Sequence, residues 1–313
     1  MATRSCRQPP PTTPRREPKI RSLAKIRARW DTHAQVRGFD LPEHTAFEPG
    51  LPDYLDELLP FHTHAAYEQA SERDQHAILS CAWLLYNHKT IELEKYVLTP
   101  ACLAIYDLDA PVHLDHTSRE VIAQTLVDEA YHILMTHRVS GITRARRGLE
   151  AMRIPNSTVV RRMLALQAEH SERWQRDLIL IVTAIVTEVF ICGHLQKMSD
   201  ATSVQPMNVL ATKAHLADEL VHRSVFRDVA EILHARLSAE QRRFFLDVFP
   251  KPAEWFADSN MDAWDLILDQ LDFDGRREMV GDCRAVLDTS ADYTILNTFL
   301  RDIGAAPLAA LAA

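Results

Sequence analysis

The most apolar stretch of the chain, Leu178 to Gly193 (LILIVTAIVTEVFICG), holds a carboxylate, Glu188, well inside it. It is shorter than the roughly 20 residues that cross a bilayer, so it reads as the core helix of a globular protein, with no membrane expected. An ionised carboxylate in such a run is very costly to bury without a cation or strong hydrogen bonds. A fold that buries this helix has to bring positive charge to Glu188. A metal ion can supply it.

The rest of the chain supports long helices. Glycine is scarce, at 8 residues, and most of the 16 prolines fall in the amino-terminal tail or between periodic segments, which favours an all-α fold. Residues 1–22 are basic and proline-rich without an apolar signal region and read as a disordered tail. Up to about residue 60 only short elements are expected. Residues 23–304 read as a single domain, and 305–313 as a frayed end. Ser71 to Asp107 reads as one helix or two joined near Pro100. The next starts near Thr117, with Ser118 as cap. Another starts at Asn156 or Ser157 and continues to Lys197, a further one spans Met207 to Arg236, and three shorter helices fill Ser238 to Asp302.

The spacing Glu-x-x-His puts both side chains within reach of one ion, since residues three apart on a helix differ by roughly 60° in projection. With 19 Glu and 15 His in 313 residues, random placement gives about one such pair; the sequence holds three. These are Glu129/His132, Glu219/His222 and Glu231/His234. His215, Glu219 and His222 form one stripe, whereas Glu231 is rotated from Glu219 by roughly 120°, so the third pair is set aside. The two retained motifs are both Asp-Glu-x-x-His and lie on different helices.

Di-iron carboxylate bundles take one glutamate from each of two helices and a Glu-x-x-His from each of the other two. Glu94 fills the first place, preferred over Glu92 because Ile91, Leu93, Val97 and Leu98 set it near the buried face, and Glu188 fills the second. The expected metal ligands are therefore Glu94, Glu129, His132, Glu188, His215, Glu219 and His222 in a ferritin-like helical bundle with extra helices. Glu129 and Glu219 would bridge, with Glu94 and His132 on one ion and Glu188, His215 and His222 on the other. Carboxylate oxygens with imidazole suit two iron ions, or manganese, and no cysteine joins the set. Asp128 and Asp218 are candidates to orient ligand imidazoles or, equally, helix-surface acids.

Other classes are less favoured. A formal charge of −8 offers no field to hold a phosphate backbone, so nucleic acid is not expected as a partner. Five widely spaced cysteines without a C-x-x-C pair suggest neither a disulfide framework nor a zinc site, and fit a reducing cytoplasm. Tyr131 is read as packing rather than a radical site. Arg144, Arg146, Arg147, Arg161 and Arg162 are read as solvated faces, or at most a docking surface for a reductase.

The segments YNHKTIELE, DEAYH, TEVF and HLADELVH, in this order between Tyr86 and His222, resemble the p-aminobenzoate N-oxygenase (AurF-like) family of non-haem di-iron enzymes. The specific part is His215, four residues before the second Glu-x-x-His. The resemblance implies an O2-dependent monooxygenase. Such an enzyme oxidises a small amine, an arylamine or an amino-acid-derived one, to a hydroxylamine or nitro-level product, with a role in secondary metabolism. It also implies an external electron donor and a homodimer. Tyr86 matches a family position near the substrate, and Arg301 could pair with a substrate carboxylate. Two alternatives remain at this stage: a di-iron oxygenase that hydroxylates carbon, and a non-catalytic iron-handling protein.

Overall fold

The computed structural model describes residues 20–39, 47–108, 112–286 and 291–308, with backbone alone at 20 and 21. Its helices are α1 Ile20–His33, α2 Ala65–Glu68, α3 Glu72–Leu93, α4 Thr99–Tyr106, α5 His116–Arg147, α6 Thr158–Ala168, α7 Arg173–Asp200 and α8 Pro206–Arg236. Five shorter ones follow: α9 Ala239–Val248, α10 Pro250–Ala257, α11 Met261–Gln270, α12 Arg276–Val286 and α13 Thr294–Asp302. Among the described residues there is no strand.

The caps are local and legible. Ser71 accepts from the Asp74 amide at 3.2 Å to start α3, and Asp115 accepts from Ser118 at 2.7 Å to start α5. Gly148 ends α5 at φ 67°, a left-handed position that a side chain would strain. Between α3 and α4 the helix passes through a π-helical turn, Glu94–Leu98, and such turns often mark functional sites.

Two apolar clusters lie at opposite ends of the bundle formed by α3, α5, α7 and α8. One contains Val121 of α5, Ile179 and Val186 of α7 and Val225 and Leu233 of α8, joined by α4, α6, α9 and α13. The other contains Ile78 and Trp83 of α3, Met135 and Val139 of α5, Met198 of α7 and Met207 of α8, joined by α11 and α12. Residue order through the clusters gives the directions. α5 and α7 run from the first cluster to the second; α8 runs back, as does α3, which leads to Val97 in the first cluster. Because α5 and α7 run the same way, residues 148–172, including α6, have to cross the length of the bundle between them. That single long crossover is the ferritin-like connection.

Between the clusters lies a polar layer. Glu94, Glu129, His132, Glu188, His215, Glu219 and His222 are each no more than 3% exposed. α7 is long and apolar enough to cross a membrane, but 78% of its most apolar window is buried inside the bundle, where Glu188 meets this layer.

Several sequence expectations change. Residues 20–33 form a regular helix, α1, packed on α5 and α8, although only short elements were expected before residue 60. Its amphipathic pattern is short and masked by five arginines and lysines in and next to it. Asp115, not Ser118, caps α5. The helix expected from Ser157 to Lys197 is broken at His170–Ser171, and five helices rather than three follow Ser238. Ala305 and Leu308 are buried against the first cluster rather than frayed. Residues 1–19 of the expected tail and 309–313 of the expected frayed end lie outside the described residues. Arg147 is not a solvated residue: it holds fully buried Asp53 at 2.7 Å, while Arg144 donates to the carbonyls of Leu149 and Met152.

Candidate metal centre

Two overlapping groups can each hold a cation: Glu94, His132, His215 and Glu219, and Glu129, His132, Glu219 and His222. In each, the potential ligand atoms lie within 4.8 Å of one another. His132 Nδ1 lies 3.1 Å from Glu129 Oε2 and 3.2 Å from Glu219 Oε1. His222 Nδ1 lies 3.1 Å from Glu129 Oε1 and 3.6 Å from Glu219 Oε1. Glu188 lies close enough to Glu219, and Glu94 to Glu129, for their charges to act on each other. The structure thus gathers all seven predicted residues in one buried layer. His215 is placed differently from the expected division. Its Nε2 lies 3.5 Å from Glu94 and 3.0 Å from Glu219, on the Glu94 side rather than with Glu188 and His222. One helical turn separates His215 from Glu219, so position along α8 decides its side. Glu92 turns away and accepts from the amide of Ser157.

The electrostatics of the layer call for positive charge. Burial pushes Glu94 and Glu188 well above the usual carboxylate range, and the charges of Glu129 and Glu219 push further. Burial would raise Glu129 too, but His222 and bonds from both histidines bring it down to about 2. His132 and His222 rise despite burial, because acids surround them. His215 falls, through burial and the neighbouring His132 charge. Four carboxylates at this depth cannot all stay ionised unless cations lie among them. One buried oxygen on each of Glu94, Glu188 and Glu219 is left without a hydrogen-bond partner. A donor set of oxygens and imidazoles with orphaned, inward-facing atoms fits a pair of hard or borderline cations.

Asp128 and Asp218 are buried and cross over. Asp128, next to Glu129, lies 3.3 Å from Nε2 of His222 in the other motif; Asp218, next to Glu219, lies 3.2 Å from Nε2 of His132. Each fixes the ring nitrogen that faces away from the cluster, as partners of ligand histidines do. The pair Glu231/His234 lies outside both groups.

This arrangement has counterparts among known proteins. The family model "P-aminobenzoate N-oxygenase AurF" matches residues 21–304. This chain belongs to the AurF family. A curated relative, 4-aminobenzoate N-oxygenase of Streptomyces thioluteus, is 30% identical over 267 residues, covering 84% of this chain and 80% of its own length. Membership makes the chain an oxygenase, and the AurF family is one of di-iron enzymes.

Beside the AurF-type cluster is a cavity of about 380 Å³, whose wall includes Tyr86, Lys89, Thr90 and Leu93 of α3 and Phe190 and His194 of α7. None of the seven cluster residues lines it, but Thr90 and Leu93 in its wall stand one turn and one residue before Glu94. Tyr86 stacks on His194 with centroids 4.3 Å apart, and Tyr54 Oη lies 2.8 Å from His194 Nε2. Burial and the charge of Lys89 bring His194 down to about 3, so it is neutral. Tyr86 stands in the wall of this cavity. Arg301 does not: it is exposed on α13, bonded to Thr298, and is absent from the cavity wall. The cation sequence reasoning missed is Lys89. Its residue keeps partial access to solvent, its ammonium lies 4.6 Å from the centroid of Phe256, and burial brings it down to about 8. An i+3 position after Tyr86 on the helix that carries Glu94 was the available signal.

Proposed function

We propose that this chain is a di-iron N-oxygenase whose substrate is a small aromatic amine bearing an anionic group, with the amine held at the cluster and the anion at Lys89. The observation that carries this reading is a lysine, Lys89, in the wall of a partly aromatic cavity near the buried acid and histidine layer. A cation held in such a place without an acid close enough to offset its burial is a site made for an anion. The relative from Streptomyces thioluteus is called a 4-aminobenzoate N-oxygenase, and an aminobenzoate has both features.

Glu94, Glu129, His132, Glu188, His215, Glu219 and His222 would hold two iron ions. Bound iron supplies the activation of dioxygen that organic side chains lack. The overall change adds one oxygen atom: RNH2, O2, two electrons and two protons give RNHOH and water, and repetition reaches the nitro level. Tyr86, His194 and Phe256 would sandwich the ring, and Lys89 would fix its far end, so that the nitrogen lone pair faces the carboxylate layer. Leu93 and Phe190 line the cavity and limit water there. The electrons would come from an external donor. Burial of the four described cysteines, all free, supports a reducing cytoplasmic setting.

The test is a single turnover. Iron-loaded, chemically reduced protein is mixed with 18O2 and 4-aminobenzoate, and products are analysed by mass spectrometry. Label on nitrogen is expected. Label on carbon would replace the reading with a carbon hydroxylase, and iron oxidation without any labelled organic product would point to iron handling.

A further inference from the structure

The carboxylate beside His222 has a second partner, and that partner leads to the surface. Trp30 Nε1 donates to both oxygens of Asp128, at 3.0 and 2.9 Å, and Asp128 Oδ2 lies 3.3 Å from His222 Nε2. The indole sits near the end of α1 and is partly exposed, with the Arg37 guanidinium 5.6 Å from its ring centroid. A continuous route of covalent and hydrogen bonds therefore runs from a surface aromatic ring to a residue of the cluster. The neighbouring carboxylate is held differently among the described residues: Asp218 accepts from the backbone amide of Gln35 at 3.2 Å, and Gln35 carries no aromatic ring.

The surface around the indole has the opposite sign to the whole chain. The protein carries a formal charge of −8, yet Lys25, Arg27, Arg29 and Arg37 stand exposed on α1 and the turn after it. Arg27 reaches Glu120 at 3.3 Å and Arg37 reaches Asp31 at 3.7 Å, so the surplus charge centres on Lys25 and Arg29. A basic island on an acidic protein selects an acidic partner and steers its approach.

We infer that this face of α1 docks an acidic one-electron carrier protein of the iron–sulfur type, and that Trp30–Asp128–His222 is the route by which its electrons reach the metal centre. The inference rests on the proposed function, which needs an external donor. In each encounter the reduced carrier loses one electron and one ferric ion becomes ferrous; two encounters serve each oxygenation. The indole acts as a bridge and is itself neither oxidised nor reduced at the end of the step.

The probe is a reduced plant-type [2Fe–2S] ferredoxin, mixed with the di-ferric protein under anaerobic conditions, and the readout is the rate of ferredoxin reoxidation by stopped-flow absorbance. The second-order rate constant is expected to fall with salt, and to be lower by about tenfold at low salt in Lys25→Glu/Arg29→Glu, converging with wild type at high salt. In Trp30→Phe the rate at saturating ferredoxin is expected to drop by at least about tenfold, while reduction by dithionite with methyl viologen and the iron content stay as in wild type. An unchanged Trp30→Phe rate overturns the route. A Trp30→Phe protein that loses iron, or slows equally with both reductants, also overturns it, because Trp30 then only positions Asp128. A charge-reversed protein with wild-type rate and salt dependence overturns the docking face. Single turnover with dithionite-reduced enzyme bypasses the carrier, so its failure would count against the proposed function and leave the reduction rates to judge the route.

Discussion

Replacing Lys89 by methionine should make the protein more stable and a worse enzyme for an anionic amine. The ammonium is brought from 10.5 down to about 8, first by burial, with Asp258 partly opposing. A lowering of that size corresponds to roughly 3 kcal/mol of unfavourable charging in the folded state at 1.36 kcal/mol per unit. Partial solvent access of the residue and the lost contact with Phe256 reduce the net gain to about 1–2 kcal/mol. The sign follows from linkage. The folded value lies below the unfolded one, so the penalty is fully present below about pH 8 and fades as pH rises towards 10.5. Urea unfolding should therefore find Lys89→Met more stable than wild type at pH 7, with the difference largely gone near the unfolded value. In turnover, KM for 4-aminobenzoate should rise by about 30-fold or more, the loss of one charge-assisted contact, whereas KM for aniline should hardly change. In wild type, affinity for 4-aminobenzoate should begin to fall above about pH 8, where free Lys89 loses its proton. Equal KM changes for both amines, or a variant less stable than wild type at pH 7, would refute the assignment of Lys89 as a desolvated anion anchor.

Glu188→Gln removes one carboxylate from the layer and should lower iron content towards one ion per chain by metal analysis, while Glu92→Gln should leave two. Asp128→Asn and Asp218→Asn should each weaken metal affinity by about 10–100-fold in competition with a chelator, since each loses the acceptor that orients a histidine. Arg301→Ala should change KM for 4-aminobenzoate by less than about twofold, as expected of an exposed residue away from the cavity; a tenfold rise would return it to the site.

The parts of this molecule that were legible in the sequence are those a single helix determines. Glu129/His132 and His215/Glu219/His222 share faces by helical geometry, and the apolar context of Glu188 marks its burial without any partner being known. Ser71 starts α3 and Gly148 ends α5 by local rules. What was not legible depends on contacts between distant segments. The stretch that forms α1 reads only as a short element in a polar region until Trp30 is seen against Asp128, 98 positions away. Arg147 reads as surface because Asp53, its buried partner, is 94 positions earlier. Lys89 is one lysine among 35 basic residues, and only the cavity between α3 and α7 distinguishes it. Arg301 has the chemistry for a carboxylate, but α13 packs on the far apolar cluster and points it outward.

The repeated Asp-Glu-x-x-His has a reason that neither copy contains. Within one helix the aspartate is rotated by about 100° from its glutamate and by about 40° from the histidine four residues on. It does not serve that histidine. α5 and α8 run in opposite directions, so each aspartate faces the histidine of the other copy, Asp128 to His222 and Asp218 to His132. The two half-sites therefore hold each other in place, and α1 with the turn after it ties both aspartates from outside, through the Trp30 indole and the Gln35 amide. A change at either aspartate is felt by the metal ligands of the opposite helix. The cluster is in this sense one object with two-fold character rather than two sites side by side, and its asymmetry comes from what is added to one side only: His215 beside Glu94, and an aromatic outlet behind His222.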